Sequence, residues 1–308
     1  MKNKISLVFL GSGPVAAKSL ELLAKNYTIE AVITKPKPTG HRGEFPTIVM
    51  AQKLGLKTFM PANKKELSEL FKTIAVKSTL GVVIDYGIII AQDVIDYFEH
   101  GIVNSHFSLL PQWRGADPIT FSLLSGQKQT GVSLMLITAG LDEGQVFSWG
   151  VYDIKQGETS ASLTLYLIYL SDALLRDALP KYLSGEFNPT PQENVATMME
   201  LPTEPTYSRK LTKQDGLLDW QKPAVQLERE IRAYAEWPKS YTKFKDLEVV
   251  ITNAHVIEQN DTAGKITVQN KELIVYCGQG ALVIDRLKPA GKPEMDAKSF
   301  INGYQKYL

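Results

Sequence analysis

Asn104 and His106 stand two residues apart, directly after the short apolar run Gly101-Ile102-Val103. On an extended segment this spacing projects both side chains to one side, so a single ligand atom could meet an amide donor and an imidazole together. The chemistry open to such a pair is oxyanion stabilisation with proton transfer. Asp142 is a second candidate. It sits in Gly140-Leu141-Asp142-Glu143-Gly144, after another apolar strand, where a carboxylate could lie beside His106. Each residue also has a plain reading, as a hydrogen-bonded structural histidine and as an acid in a strand-end turn.

The elements that must position them alternate. Ile5 to Leu10 reads as a buried strand closing on Gly11-Ser12-Gly13-Pro14, a helix follows through Ala16 to Ala24, and Ile29 to Thr34 is β-branched again. Helical Lys64 to Thr73, the strand Gly81 to Ile84, helical Gln92 to Phe98 and the strand Gly101 to Asn104 continue the pattern. Gly131 to Thr138 and Gln145 to Ile154 add strands, and Leu163, Leu167, Leu170 and Leu174 mark one face of a closing helix. The expected fold is α/β, a doubly wound, mostly parallel, Rossmann-like sheet.

Pro189, Pro191, Pro202 and Pro205 punctuate a polar stretch that suits a linker, so the expected division is a first domain over 1–187, a linker over 188–206 and a second domain over 207–308. In the last part a helix carrying Val225, Leu227, Ile231 and Ala235 precedes β-like runs at 248–252, 265–268, 273–276 and 281–284, which suggests a small β-barrel.

Composition is that of an ordinary globular protein, with 44% apolar and 22% charged residues in 308, which excludes disordered, collagen-like and disulfide-scaffold classes. A net charge of +1 gives no whole-chain case for nucleic acid, although 207–308 carries 16 basic against 13 acidic residues. One cysteine, Cys277, cannot form an internal disulfide. With no long apolar run and no cleavable leader, a cytoplasmic monomer is expected, with no membrane partner.

Gly11-Ser12-Gly13 with Ala16 fits a loose dinucleotide-binding pattern, but that reading wants an acid at the end of the second strand, where Ile33-Thr34-Lys35 stands; the only acid, Glu30, is at its start. A structural tight turn is the better reading. Trp220 and Trp237 could stack on bases, yet tryptophan in a small barrel is more often core.

The stretch from His106 to Pro118, together with Gly140 to Gly144, closely resembles the folate-dependent formyltransferases. The resemblance implies catalytic roles for Asn104, His106 and Asp142. It also implies a folate site bordered by Ser108, Leu109, Leu110 and Pro111, by Gly87, Ile88 and Ile89, and by Gly140 and Leu141. Lys210 to Lys213, Asp219-Trp220, Ile231 to Ser240 and Leu287 to Lys292 resemble the branch of that family that acts on methionyl-tRNA, whose C-terminal domain is an OB-like barrel approaching tRNA. The implied reaction moves formyl from 10-formyltetrahydrofolate, a cosubstrate, to the α-amine of methionyl initiator tRNA, without a metal. The alternative is another amine, such as a nucleotide-linked amino sugar; formate release, or RNA binding without catalysis, are further rivals. Lys35, Lys37, Arg42, Arg209 and Lys210 are the candidate tRNA contacts.

Three motifs depart from the family's pattern. Gly11-Ser12-Gly13 stands for its Gly-Thr-Pro, Ala116-Asp117-Pro118 for Ala-Ala-Pro, and Asp85 for Ala, while the loop Lys35 to Pro46 is shorter than the family's basic insertion.

Overall fold

The computed structural model describes every residue except 1–3, 39, 41, 42 and 44. Chain order begins β1 (Ser6–Gly11), α1 (Gly13–Asn26), β2 (Thr28–Ile33), α2 (Pro46–Lys53), β3 (Thr58–Phe59), α3 (Lys64–Thr73), β4 (Gly81–Ile84), α4 (Gln92–Ile95) and β5 (Ile102–His106). It continues β6 (Arg114–Gly115), α5 (Pro118–Ser125), β7 (Gln129–Leu136), β8 (Val146–Asp153), α6 (Ser160–Leu183), α7 (Gln192–Met198) and β9 (Tyr207–Ser208). The remainder is α8 (Ala224–Ala233), β10 (Ser240–Phe244), β11 (Leu247–Ile257), β12 (Ile266–Gln269), β13 (Glu272–Tyr276), β14 (Ala281–Pro289), β15 (Met295–Asp296) and α9 (Ala297–Gly303).

Local chemistry explains these elements. All four residues of β4, Gly-Val-Val-Ile, are buried, as a strand covered on both faces must be. At the start of α3 the Asn63 side chain accepts from the Glu66 amide at 3.0 Å, and Glu66 reaches back to the Ala62 amide at 2.8 Å, so two otherwise orphaned donors are satisfied. Leu67 and Phe71, four residues apart, then bury one helix face. The helix expected over Gln92 to Phe98 stops at Ile95 because Tyr97 and Phe98 turn into an edge-to-face cluster on Phe71, with centroids 4.9 and 5.5 Å away.

The first sheet runs β3-β2-β1-β4-β5-β7-β8, parallel from β3 to β5 and antiparallel at β7 and β8. This is the expected doubly wound, mostly parallel sheet. The strand order reverses between β1 and β4, so their carboxyl ends open the crevice where such sheets bind ligands. Glu30 is structural: its carboxylate accepts from Ser6 Oγ at 2.6 Å and from the Lys77 amide at 2.6 Å.

Contacts divide the chain into two compact units. One comprises Met1–Pro118, Gln129–Asp153 and Thr164–Ser208, the other Ile119–Lys128, Ile154–Leu163 and Arg209–Leu308. This differs from the single cut expected over 188–206. That stretch stays with the first unit: α7 starts immediately after Pro191, Thr190 bridges Val146, and β9 pairs with β6 in parallel. Its prolines bracket regular structure instead of preventing it. The second unit recruits α5 and the segment before α6, through Gln226 Nε2 donating to the Leu124 carbonyl at 3.3 Å and Arg232 Nη1 to the Glu158 carbonyl at 2.8 Å.

The second unit's antiparallel path is β10-β11-β14-β13-β12, with β15 on β14, the kind of sheet from which a small barrel is built. Strand β10 had no counterpart in the sequence reading, yet Ser240, Thr242 and Phe244 alternate inward with period two. Leu227 and Ile231 of α8 pack with Phe244, Val249 and Phe300 in one core. Trp220 lies against this core and its indole donates to Thr242 Oγ1 at 3.1 Å. Trp237 is different: it is 55% exposed, against the expectation that both tryptophans would be core. Among the described residues no helix is long and apolar enough to cross a membrane.

Phe300 is fully buried edge-to-face against Phe244, with centroids 5.9 Å apart. Phe300→Ala is expected to lower unfolding free energy by about 3–5 kcal/mol. Truncating the exposed Val268 to Ala should change it by less than about 0.5 kcal/mol. Urea titration of the two variants checks the contrast.

Candidate active site

Asn104 and His106 occupy the carboxyl-terminal half of β5, and Asp142 comes to them from the loop between β7 and β8. Antiparallel pairing sets this meeting: Asn104 is opposite Met135 and His106 opposite Ser133, so the chain leaving β7 passes the end of β5. Asn104 Nδ2 donates to Asp142 Oδ1 at 3.3 Å, and the Gly115 amide donates to Oδ2 at 2.8 Å. His106 Nδ1 lies 3.7 Å from Oδ2, an ion-pair distance longer than a hydrogen bond. On its far side His106 Nε2 is 2.9 Å from the Trp113 carbonyl. A carbonyl can only accept, so Nε2 carries the hydrogen and Nδ1 is the nitrogen turned toward Asp142. The imidazole is 5% exposed.

Asp142 takes a left-handed backbone, φ 48°, which few residues other than glycine, asparagine and aspartate adopt readily. Gly144 two residues on has no room for a side chain, since a Cβ there would come within 1.7 Å of the Leu136 carbonyl. The loop is then fastened by Gln192. Its Nε2 donates to the carbonyls of Asp142 and Gly144, both at 2.8 Å, while its Oε1 accepts from Arg114 Nε at 3.1 Å and Nη2 at 2.8 Å. Gln192 is 2% exposed and makes full use of its amide. Sequence reasoning missed it because it lies at the start of α7, inside the stretch read as a linker. The one signal was an amide immediately after Pro191.

The expected folate-bordering residues fall into two groups. Gly87, Ile89 and Leu141 are open to solvent, with Ile89 72% and Leu141 60% exposed, while Ile88 and Gly140 are half-buried. Ser108, Leu109, Leu110 and Pro111 are buried. Ser108 donates to the Gln112 carbonyl, and Ser133 Oγ donates to the Ser108 carbonyl and receives the Leu110 amide, so this segment braces the turn after β5 with its side chains turned inward.

Of the expected tRNA contacts, Arg42 lies outside the described residues. Lys37 is exposed. Lys35 runs inward, its Nζ 2.7 Å from where a Cβ on Gly87 would sit, so the bare left-handed glycine there admits the lysine. Arg209 and Lys210, in the second unit, are exposed, and Arg209 is engaged by Asp215, with Nη1 2.9 Å from Oδ2.

The three motif departures gather in one place. Asp85 follows β4 at the switch point, with φ 49°, and its carboxylate reaches toward Gly13 after β1. More than a third of the residue is accessible, yet protein surrounds it on most sides. The lost hydration is the largest influence and pushes its carboxyl up to about 7, with Lys35 pulling it down and Asp117 adding to the rise.

Gln192→Glu keeps an acceptor for Arg114 but turns an acceptor toward two carbonyls. A positioning role predicts that kcat falls about tenfold or more while substrate KM moves less than about threefold, and that Gln192→Asn recovers none of the loss because its amide is one carbon too short. Steady-state kinetics with intact far-UV circular dichroism decide it.

Two family models match in chain order: that described as formyl transferase covers residues 4–178, and that described as formyl transferase, C-terminal domain, covers 210–305. The chain is 33% identical to a methionyl-tRNA formyltransferase of Pseudoalteromonas translucida, over 98% of this chain and 95% of that protein. It is 35% identical to one of Methylococcus capsulatus, over 97% and 96%. The fold resembles an N-formyltransferase of Helicobacter canadensis solved with folinic acid and dTDP-3-aminofucose, with TM-score 0.68 and 16% identity over 91% of this chain and 98% of that one. It also resembles HypX of Aquifex aeolicus solved with tetrahydrofolic acid, with TM-score 0.61 and 16% identity over 97% and 47%. At such identity these two speak for the fold alone. A paired amide and imidazole at a strand end, a carboxylate fastened beside them and both family domains in sequence place this chain in the formyl transferase family, as a folate-dependent formyltransferase.

Proposed function

We propose that this enzyme transfers the formyl group of 10-formyltetrahydrofolate to the α-amino group of methionyl initiator tRNA, in the cytoplasm, as part of translation initiation. The observation that carries the acceptor is similarity over almost the whole of both chains to methionyl-tRNA formyltransferases. The exposed apolar side chains of Ile89 and Leu141 suit a flat heterocycle such as the pterin.

In this reading the acceptor amine attacks the formyl carbon and an oxyanion develops on the formyl oxygen. Asn104 Nδ2 bears two hydrogens and Asp142 takes one, which leaves the other for that oxygen. His106, held at Nε2 by the Trp113 carbonyl, presents Nδ1 beside Asp142. The departing folate nitrogen takes up a proton as the tetrahedral intermediate collapses. No step calls for a metal.

A panel of formyl acceptors tests the reading. Charged initiator methionyl-tRNA should be formylated and a dTDP-linked amino sugar should not; the reverse result overturns the acceptor, and donor consumption without any acceptor would make the enzyme a hydrolase. His106→Ala, Asp142→Ala and Asn104→Asp should each lower kcat by about 10²–10³ with the fold intact, and unchanged transfer in any of them removes that residue from the mechanism.

A further inference from the structure

An α-amine at neutral pH is largely an ammonium, and an ammonium has no lone pair with which to attack a formyl carbon. The proton has to be taken before the bond forms. The residues given roles above are already engaged: His106 Nε2 is committed to the Trp113 carbonyl, and Asp142 faces Asn104, the Gly115 amide and His106 Nδ1. Asp85 is different. Its carboxylate, at the switch point of the sheet, has protein on most sides while more than a third of the residue stays accessible.

Topology places it at the same end of the sheet as the reacting centre. Strand β4 pairs with β5 in parallel with Val83 opposite Asn104; Asp85 is the residue just past the carboxyl end of β4, in a left-handed turn, and His106 is the last residue of β5. On the other flank, Oδ2 of Asp85 is 3.5 Å from where a Cβ on Gly13 would be, and the missing side chain leaves space in front of the carboxylate. The charged groups that face it are Lys35, beyond the end of β2, and Asp117, two residues beyond β6. Among the described residues, then, one cation and two carboxylates border a gap at the mouth of the crevice, a setting that favours a cationic group.

We propose that Asp85 receives the ammonium group of the acceptor and removes its proton, a role that rests on the acceptor reading above. The N–H bond breaks, its electrons remain on nitrogen as the attacking lone pair, and the proton is held on the Asp85 carboxyl until it is released to solvent. In the same cycle the amine gains the formyl group, loses its second proton within the tetrahedral intermediate, and the folate nitrogen leaves carrying a proton. The upward push on the Asp85 carboxyl, to about 7, brings it near the ordinary range of an α-amine, about 7.7–8.0, so the transfer between them is close to balanced.

The test is the pH profile of kcat/KM for methionyl-tRNA in the wild type and in Asp85→Asn. The wild type needs an ionised carboxyl and a protonated amine, which gives a bell with its maximum between about 7 and 8. Asp85→Asn should be slower by about 10²-fold at pH 7 and should rise with pH to a plateau as the free amine accumulates, with the donor KM unaltered. Folding is not at risk: a carboxyl whose value is raised in the folded state costs stability as pH rises from about 4 to about 7, so the amide should show the higher Tm above pH 7. A variant with wild-type rates and a wild-type bell overturns the proposal, as does a change confined to the donor KM. A wild type that formylates no methionyl-tRNA overturns the acceptor reading itself, and this role with it.

Discussion

Asp142, on the loop between β7 and β8, is held 3.7 Å from the imidazole of His106 on β5 without collapsing onto it. A side chain on a turn cannot do that alone, and much of the first unit serves the task. The carboxylate is spanned by Asn104 and the Gly115 amide, and the backbone behind it by Gln192, which in turn answers to Arg114. Arg114 and Gly115 form β6, aligned through its pairing with β9. A contact 3.7 Å long is therefore set by an amide, a guanidinium and a two-residue ribbon, all buried or partly buried, where each polar group must be matched or it weakens the whole network.

The loops after the strands carry two kinds of surface. Ile89 and Leu141 expose apolar side chains. Gly13, Asp85 and Lys35 make a charged cluster, and the Lys35 ammonium reaches from it to the bare backbone of Gly87. Asn104 and His106 lie on β5 and Asp142 in the loop after β7.

The sheet was legible because its strands are short, apolar and separated by turn residues, and the helix over 64–73 and the strand over 81–84 were placed at their observed bounds. Asn104 and His106 were legible from spacing as a pair, and Asp142 only as a nearby acid, since the register that joins β7 to β5 is not written in either segment. What escaped reading depended on distant partners. Helix α4 was shortened by an aromatic cluster with Phe71, and β10 hid behind polar inward residues. Gln192 was lost because prolines mark boundaries without saying on which side order lies. The composition that suggested a linker did not show that α7 forms inside it. Trp237 failed for the opposite reason: a prior about burial cannot see that one face of the chain is left uncovered.

The second unit is not coded in one piece. Residues 119–128 and 154–163 lie inside the sequence of the first, and their backbone carbonyls at Leu124 and Glu158 take the side chains of Gln226 and Arg232. For an evolving gene this matters more than the proline-rich stretch suggests. An exchange of everything after residue 208 would keep the carbonyls of Leu124 and Glu158 but replace the side chains of α8 that donate to them. A cut after residue 208 would therefore not release the second unit whole, because two of its segments would stay behind.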